Sequence, residues 1–405
     1  MGEANFRSGI REYLKTYSYA NATWDDLIRI LDGKASEDLA TFSDVWVNRK
    51  GMPTLNFRID GQELEVRQSD PYNRGLLWPQ RFAVTLCGER DSVLWVNMTD
   101  TLVRIQLPFV PSLVLPNTDG RGYGLFVPDE SALKWLLAHW WEVKDDTARQ
   151  SLLMTLYENY LAKHISADDW TNSLLAGLPA EKNALVASTV SGYLAGAMRR
   201  VAPAQIAEVE ARVYAISRNH LLPSCRVQLL RYFMQNATSQ PMVKELYALW
   251  QEQSDKRLNQ QDYTTLAYEL AIRLPAESEQ ILRTQRARID DPDRLRQFDF
   301  ISRAVVSDTA RLDTLFNSLL VAENRRIEPW TAAVIRYLNH PLREEQSVKY
   351  IRPGLEVLEE VQRTGDIFFP KNWASALLGN HLSRPAYEEV VRFLDAHPDY
   401  SPLLK

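Results

Sequence analysis

The side chains able to do chemistry in this chain are scattered rather than grouped. Its six histidines are His139, His164, His220, His340, His381 and His397, and none has another within four positions. A zinc hydrolase needs two imidazoles one helical turn apart, with a glutamate between them to activate the metal's water. No H-E-x-x-H string supplies them. His139 and Glu142 share a helix face, but Leu136-Leu137-Ala138-His139-Trp140-Trp141-Glu142 places them in a wide aromatic stripe, which predicts packing. Ser224-Cys225 lies close to His220, as a thiol nucleophile and its base would. The intervening Pro223 makes the string a helix start instead. Asp25-Asp26, Asp145-Asp146 and Asp168-Asp169 all stand at predicted helix starts, where the helix dipole accounts for them better than general acid–base chemistry. No G-x-S-x-G elbow and no phosphate-cradling G-x-x-x-x-G-K-[ST] loop is present. Cys87 and Cys225 fall in different predicted domains and read as buried free thiols.

The elements around these residues form three zones. Phe6, Ile10, Tyr13, Leu14 and Tyr17 recur at helical spacing, so one helix face is apolar from the opening residues on. Thr23 with Asp26 forms a capping pair for a second helix that buries Trp24, Leu27, Ile28 and Leu31. Gly33 is expected to end it in a left-handed conformation. Leu39, Phe42, Val45 and Trp46 make the next helical face, stopped by Gly51 and Pro53. Alternation then takes over. Leu55, Phe57 and Ile59 run up to Asp60-Gly61, read as a two-residue hairpin turn, and Leu64 and Val66 run away from it. Phe82, Val84 and Leu86, then Val93 to Val96, then Val103, Ile105 and Leu107, continue the pattern. A small antiparallel β-sandwich over 53–127 follows. From Pro128 the period becomes helical and stays so, giving about fourteen helices in consecutive antiparallel pairs without a named repeat. The predicted fold is mostly α: helices over 1–52, the sandwich, and a large helical solenoid over 128–405.

Composition narrows the function classes. A hydrophobic share of 45% with 24% charged residues is that of a globular multidomain protein. A net charge of -5 carries no basic footprint for nucleic acid, and no apolar run is long enough to span a bilayer. Arg283, Arg286, Arg288 and Arg325-Arg326 are interleaved with acids and predict solvated helix faces.

Three stretches resemble one family. Phe6-Arg7-Ser8-Gly9-Ile10-Arg11-Glu12-Tyr13-Leu14-Lys15, with Tyr19-Ala20-Asn21-Ala22-Thr23-Trp24, is similar to a segment of the M1 zinc aminopeptidases that follows their zinc-binding helices. Trp46-Val47-Asn48-Arg49-Lys50-Gly51-Met52-Pro53 resembles the family's W-x-x-x-x-G-[FY]-P lead into a small β-sandwich. Val114-Leu115-Pro116-Asn117 and Gly122-Tyr123-Gly124-Leu125-Phe126 resemble its exit into a large helical domain. The resemblance marks Gly9, Tyr13, Leu14, Asn21, Ala22, Thr23, Trp46, Gly51, Pro53, Pro116, Asn117, Gly122 and Tyr123 as structural motif positions. It assigns no catalytic, metal or substrate residue here, because the family's G-[AM]-M-E-N and H-E-x-x-H strings precede the first match and are absent. What it implies is the C-terminal part of such an enzyme. Residues 1–52 would be the last helices of a thermolysin-like catalytic domain, and the solenoid would be HEAT-like. The chain itself would carry no cofactor, with zinc in the full-length parent. Its partners would be the missing N-terminal catalytic domain and peptide substrates.

Two alternatives stand beside that expectation: a pseudo-enzyme that keeps the fold as a scaffold, and an independent α-solenoid interaction protein. The last predicts that the first helix buries its apolar face within this chain. The fragment reading predicts that Phe6, Ile10, Tyr13 and Tyr17 leave a patch.

Overall fold

The helix-then-strand-then-helix order written in the hydrophobic period is the order seen in the computed structural model, which describes residues 1–404. The described chain is mostly helical, divides into two compact units, and carries its β-structure in the first. That unit comprises 1–202 with 218–228.

It opens with α1 (Glu3–Thr16), α2 (Trp24–Asp32) and α3 (Leu39–Ser43), the last running into a π-helical turn at Asp44–Asn48. Gly9 is the one buried residue of α1. A Cβ on it would sit 2.5 Å from Leu31 Cδ2, so the glycine sets how closely α1 and α2 pack. Thr23 and Asp26 form a reciprocal capping box at the start of α2. Two expectations fail in this hairpin. Gly33 is right-handed, at φ -61°, and its N–H bonds back to the Arg29 carbonyl as in a regular helical turn, so no left-handed residue is needed. Only Leu31 of the predicted face of α2 is buried, while Trp24 is 48% exposed, its indole N–H donating to Ser43 Oγ at 2.7 Å.

The capping box makes a pH-dependent contribution. The Thr23 N–H, and then its hydroxyl, hold the Asp26 carboxyl down at about 2 from an ordinary 3.8. A depressed folded value stabilises above the unfolded pKa, and that contribution is lost as pH falls through the folded one. The cap should therefore persist from neutral pH to about 4 and be lost towards pH 2. Carboxyl-carbon NMR titration should give Asp26 a midpoint near 2 that rises in Thr23→Ala. A wild-type midpoint near 4 would refute the assignment.

Seven strands follow: β1 (Thr54–Asp60), β2 (Glu63–Ser69), β3 (Gln80–Cys87), β4 (Ser92–Met98), β5 (Leu102–Gln106), β6 (Leu113–Leu115) and β7 (Leu125–Val127). They form a four-stranded sheet, β5-β2-β1-β7, and a three-stranded sheet, β4-β3-β6. Every pairing is antiparallel except β1 with β7. Leu55, Phe57, Leu64 and Val66 of the first sheet share one buried cluster with Phe82, Val84, Leu86 and Val96 of the second. The predicted hairpin is present with its turn shifted by one residue. Asp60 pairs with Glu63, so the central residues are Gly61 and Gln62, not Asp60 and Gly61. The positive φ, +58°, falls at the first central position, and glycine is the residue that tolerates it there.

The rest of this unit is built on α4 (Glu130–His139), α5 (Asp146–Leu161), α6 (Ala167–Gly177) and α7 (Ala184–Met198). Asp129, Asp145, Ser166 and Asn183 cap their starts through side-chain oxygens, and the acid pairs at 145 and 168 stand at helix starts, where the dipole favours them. Arg149 on α5 pairs with Glu181, just ahead of α7, with Nε to Oε2 at 2.6 Å and Nη2 to Oε1 at 3.0 Å.

The second unit, 203–217 with 229–405, is helical throughout its described residues. From Pro128 on there are seventeen α-helical segments rather than about fourteen. The excess comes from short pieces such as Glu344–Ser347 and Ile351–Glu356, which 3₁₀ turns separate along one apolar run. A recurring device closes the helix ends. Arg273 donates to the Met234 and Gln235 carbonyls, Arg288 to those of Trp250 and Gln251, and Arg343 to those of Ala304, Val305 and Val306. Each arginine lies 37 to 39 residues after the carbonyls it caps. Helix C-termini leave carbonyls without intrahelical partners, and a guanidinium satisfies them with a favourable charge.

Glutamates perform the converse at N-termini. Buried Glu210 accepts from the Thr238 and Ser239 amides at 2.6 and 2.9 Å, ahead of the helix Gln240–Glu252. Glu344 accepts from Leu382 and Ser383 ahead of Arg384–Ala396. Neither helix has a side-chain cap from its own N-cap serine. Arg288 and Arg325 therefore depart from the solvated faces expected of their clusters. Arg288 stacks 4.8 Å from the Trp250 ring centre, and Arg325 is buried against the Leu319 and Leu320 carbonyls and Glu360. Arg286, in an exposed pair with Asp299, fits the expectation.

Candidate functional site

The first unit has a groove of about 690 Å³ that takes in Asn117, Gly122 and Tyr123, three of the motif positions. One wall is the strap 117–124, which two side-chain amides hold in place of regular structure. Asn117 accepts from the Gly122 N–H at 2.7 Å and donates to its carbonyl at 3.1 Å. Gln80 does the same for Tyr123, at 2.9 and 3.0 Å. Each amide mimics a strand partner, so the strap is fixed without belonging to a sheet. Gly122 has no room for a side chain, since a Cβ would meet Phe126 at 2.5 Å and Asn117 Oδ1 at 2.9 Å. Asn117 is left-handed, at φ +49°, and Ser151 Oγ on α5 donates to its carbonyl at 2.5 Å. The other walls are α5 and the start of α7. Asp146, Gln150, Met154 and Glu158 recur every four residues, so one stripe of α5 faces the groove.

The remaining motif positions serve the frame around this groove. Trp46 lies 5.8 Å from Tyr123, ring centre to ring centre, joining the second resemblance segment to the third. Pro53 accepts the Leu125 N–H at 2.9 Å beneath Gly124, and Met52 lines the groove. Gly51 is left-handed, at φ +98°, with the Tyr72 ring against it. Pro116 is buried. Gly9 and Thr23 act within the α1–α2 hairpin as described, and the Tyr13 ring lies tilted against Tyr17, 5.4 Å between ring centres. Leu14 and Asn21 are exposed and Ala22 is half-buried. Sequence reasoning missed Gln80, Asp119, Gln150 and Glu158. The four-residue spacing along α5 was the available signal for the last two. Nothing local in Gln80 announces a partner 43 residues away.

The chemistry-bearing residues elsewhere have structural assignments. His220 Nε2 faces the Leu178 carbonyl at 2.9 Å while Nδ1 accepts the Leu222 N–H at 3.0 Å, so it is a spacer and not the base of a thiol pair. Burial raises the Cys225 thiol, and pushes that of Cys87 up to about 11, away from nucleophilic character. His139 stacks on Trp135 and reaches Glu142 Oε1 at 2.9 Å. His340 is buried against Glu269 at 3.2 Å. Among the described residues no three His, Cys, Asp or Glu side chains are placed to hold a metal ion. No described helix is long and apolar enough to cross a membrane.

Comparison with known proteins points one way. The chain is 26% identical over 95 residues to aminopeptidase M1-B of Oryza sativa, covering 23% of this chain and 11% of that protein. It is 29% identical over 75 residues to the tricorn protease-interacting factor F2 of Thermoplasma volcanium, covering 18% and 10%. It is 22% identical over 142 residues to aminopeptidase N of Lactococcus lactis, covering 34% and 16%. No protein-family profile matches. The chain is M1-aminopeptidase-like over partial stretches at low identity, and its origin is aminopeptidase-related. The matched stretches span between a tenth and a sixth of these relatives' lengths.

Proposed function

We propose that this chain is the non-catalytic C-terminal region of a zinc-dependent aminopeptidase. Residues 1–52 would be the last helices of its catalytic domain, 53–127 a β-sandwich, and 128–405 a HEAT-like solenoid that shapes and covers the substrate chamber. The observation that carries this reading is α1. It is amphipathic, yet only Gly9 is buried, while Phe6 is 50% and Leu14 62% exposed. Trp24, Phe42 and Val47 add further exposed apolar surface in the same segment. A self-contained solenoid protein would cover such residues, and a domain expecting a neighbour would not. The arginine clamps, each reaching back 37 to 39 residues to an earlier helix end, support stacked helical hairpins, because that is the length of a two-helix repeat.

The test is an aminoacyl-p-nitroanilide assay on this chain alone and on the product of its whole reading frame. The chain alone should be inactive and take up no stoichiometric zinc. The whole protein should be active, lose activity to a chelator and regain it with zinc. A folded whole protein with no activity and no bound zinc would replace this reading with the pseudo-enzyme.

A further inference from the structure

The two sheets of the sandwich end in β4, β5, β6 and β7, and three of these edges are guarded. β6 and β7 are three residues long, and the strap continues the β6 side of β3 through the Thr118 N–H to the Ala83 carbonyl at 2.9 Å. β5 has five residues with the charged Arg104 at its centre. Short strands and charges are how sheets avoid pairing with other chains. β4 has neither guard. Its seven residues, Ser92–Met98, contain no charge, proline or glycine. They run opposite β3 without a bulge, from Ser92 beside Leu86 to Met98 beside Gln80. Among the described residues no strand pairs with the other side of β4. Val96 and Met98 belong to the buried cluster and Leu94 packs on it, which leaves Val93, Trp95 and Asn97 on the outer face. Val93 is 62% and Trp95 39% exposed. A regular, apolar edge of this length with open backbone groups is a template for a further strand.

Charge selects the strand that fits. The Arg81 guanidinium on β3 lies over the Trp95 ring, 4.6 Å from its centre, and that of Arg121 on the strap approaches to 6.0 Å. Both side chains are exposed. Arg121 pairs with Asp119 at 3.6 Å, whereas Arg81 has its aromatic stack and no acid among the described residues. Asp91 and Asp100 stand just beyond the two ends of β4, so a carboxylate on an added strand is favoured at its middle. A second copy of β4 fits poorly. Antiparallel pairing of two copies would gather Arg81 and Arg121 of both on one face, and like charges across strands are destabilising. We propose that β4 takes up an extended segment of another protein as a fifth edge-to-edge neighbour of the sandwich, about seven residues long, with a carboxylate beside Trp95 and apolar residues at the alternate positions. The proposal does not depend on the aminopeptidase reading, because it rests on this edge alone.

The experiment is fluorescence anisotropy on the 405-residue chain at low salt. The probe is a labelled, end-blocked heptapeptide that alternates threonine with valine and carries glutamate in place of its two central threonines. Its counterparts carry lysine for glutamate, or proline for the central valine. The glutamate peptide should bind, and the lysine peptide should bind at least about tenfold more weakly. The proline peptide should not bind, because proline breaks the ladder of backbone hydrogen bonds. Arg81→Glu should weaken the glutamate peptide at least about tenfold and strengthen the lysine one. Arg121→Glu should act in the same direction. Both variants should melt as the wild type does, since both side chains are exposed. Equal binding of the glutamate peptide and either counterpart, no binding of the glutamate peptide, or unchanged binding in both variants would overturn the proposal. So would a dimer in ultracentrifugation that the peptide dissociates, which gives the edge to a second copy. Failure of the whole reading frame's product to bind the peptide would give the edge to its own further domain, and would overturn it equally.

Discussion

Arg149→Met is expected to destabilise the chain by about 3–5 kcal/mol, the usual result of removing one partner from a buried ion pair. The side chains of Arg149 and Glu181 are 8% and 0% exposed, and two parallel hydrogen bonds join them. The same guanidinium closes the turn before α5 through the Val143 carbonyl at 2.6 Å. Its partner carboxylate accepts from the Lys182 and Asn183 amides at 2.8 and 2.6 Å, ahead of α7. One pair thus fixes the starts of two helices that wall the groove. Without Arg149, the Glu181 carboxylate keeps its desolvation cost and only backbone partners. The double variant Arg149→Met with Glu181→Leu removes both charges and should recover a large part of the loss. Urea denaturation near 25 °C checks both. A single variant within about 1 kcal/mol of wild type, or a double variant no better than the single, would show that the pair is not what holds this corner.

The contrast between this pair and the capping acids shows where the sequence was legible. Asp26, Asp145 and Asp169 act within three residues of themselves, so spacing alone identified them. The alternation of Leu55, Phe57, Leu64 and Val66 was equally local, and it located the strands. It missed the turn register by one residue, because the hydrophobic pattern does not say which glycine neighbour enters the turn. Arg149, Glu210, Arg288 and Arg343 act across 28 to 39 residues, on backbone groups or on a single distant acid. Backbone carbonyls have no sequence signature. Arg288 therefore looked like solvated charge, and nothing in the sequence singled out the other clamps. The groove was half legible for the same reason. Asn117, Gly122 and Tyr123 belong to a recognisable string, and the α5 stripe has a period, but Gln80 meets the strap only through the fold.

Substitutions at exposed and at buried positions of α1 should differ in cost. Phe6→Glu with Leu14→Lys changes two exposed apolar residues and should leave this chain's stability within about 0.5 kcal/mol. It should also lower hydrophobic-dye binding and any self-association, since both report open apolar surface. Gly9→Leu instead changes the buried contact with α2. Even its first carbon would meet Leu31 at 2.5 Å, so the α1–α2 packing must open, with a loss of about 1–3 kcal/mol. In the product of the whole reading frame the outward pair should no longer be neutral. If α1 docks onto a catalytic domain there, burying two charges at that interface should cost the assembled protein both stability and peptidase activity. Thermal melts and dye fluorescence on the isolated chain, paired with activity on the whole protein, separate the cases. Should the outward pair be as costly as Gly9→Leu in the isolated chain, α1 already has its partner within these residues. The argument for a missing neighbour would then fall, because it requires this helix to be stable here while keeping one face for something else.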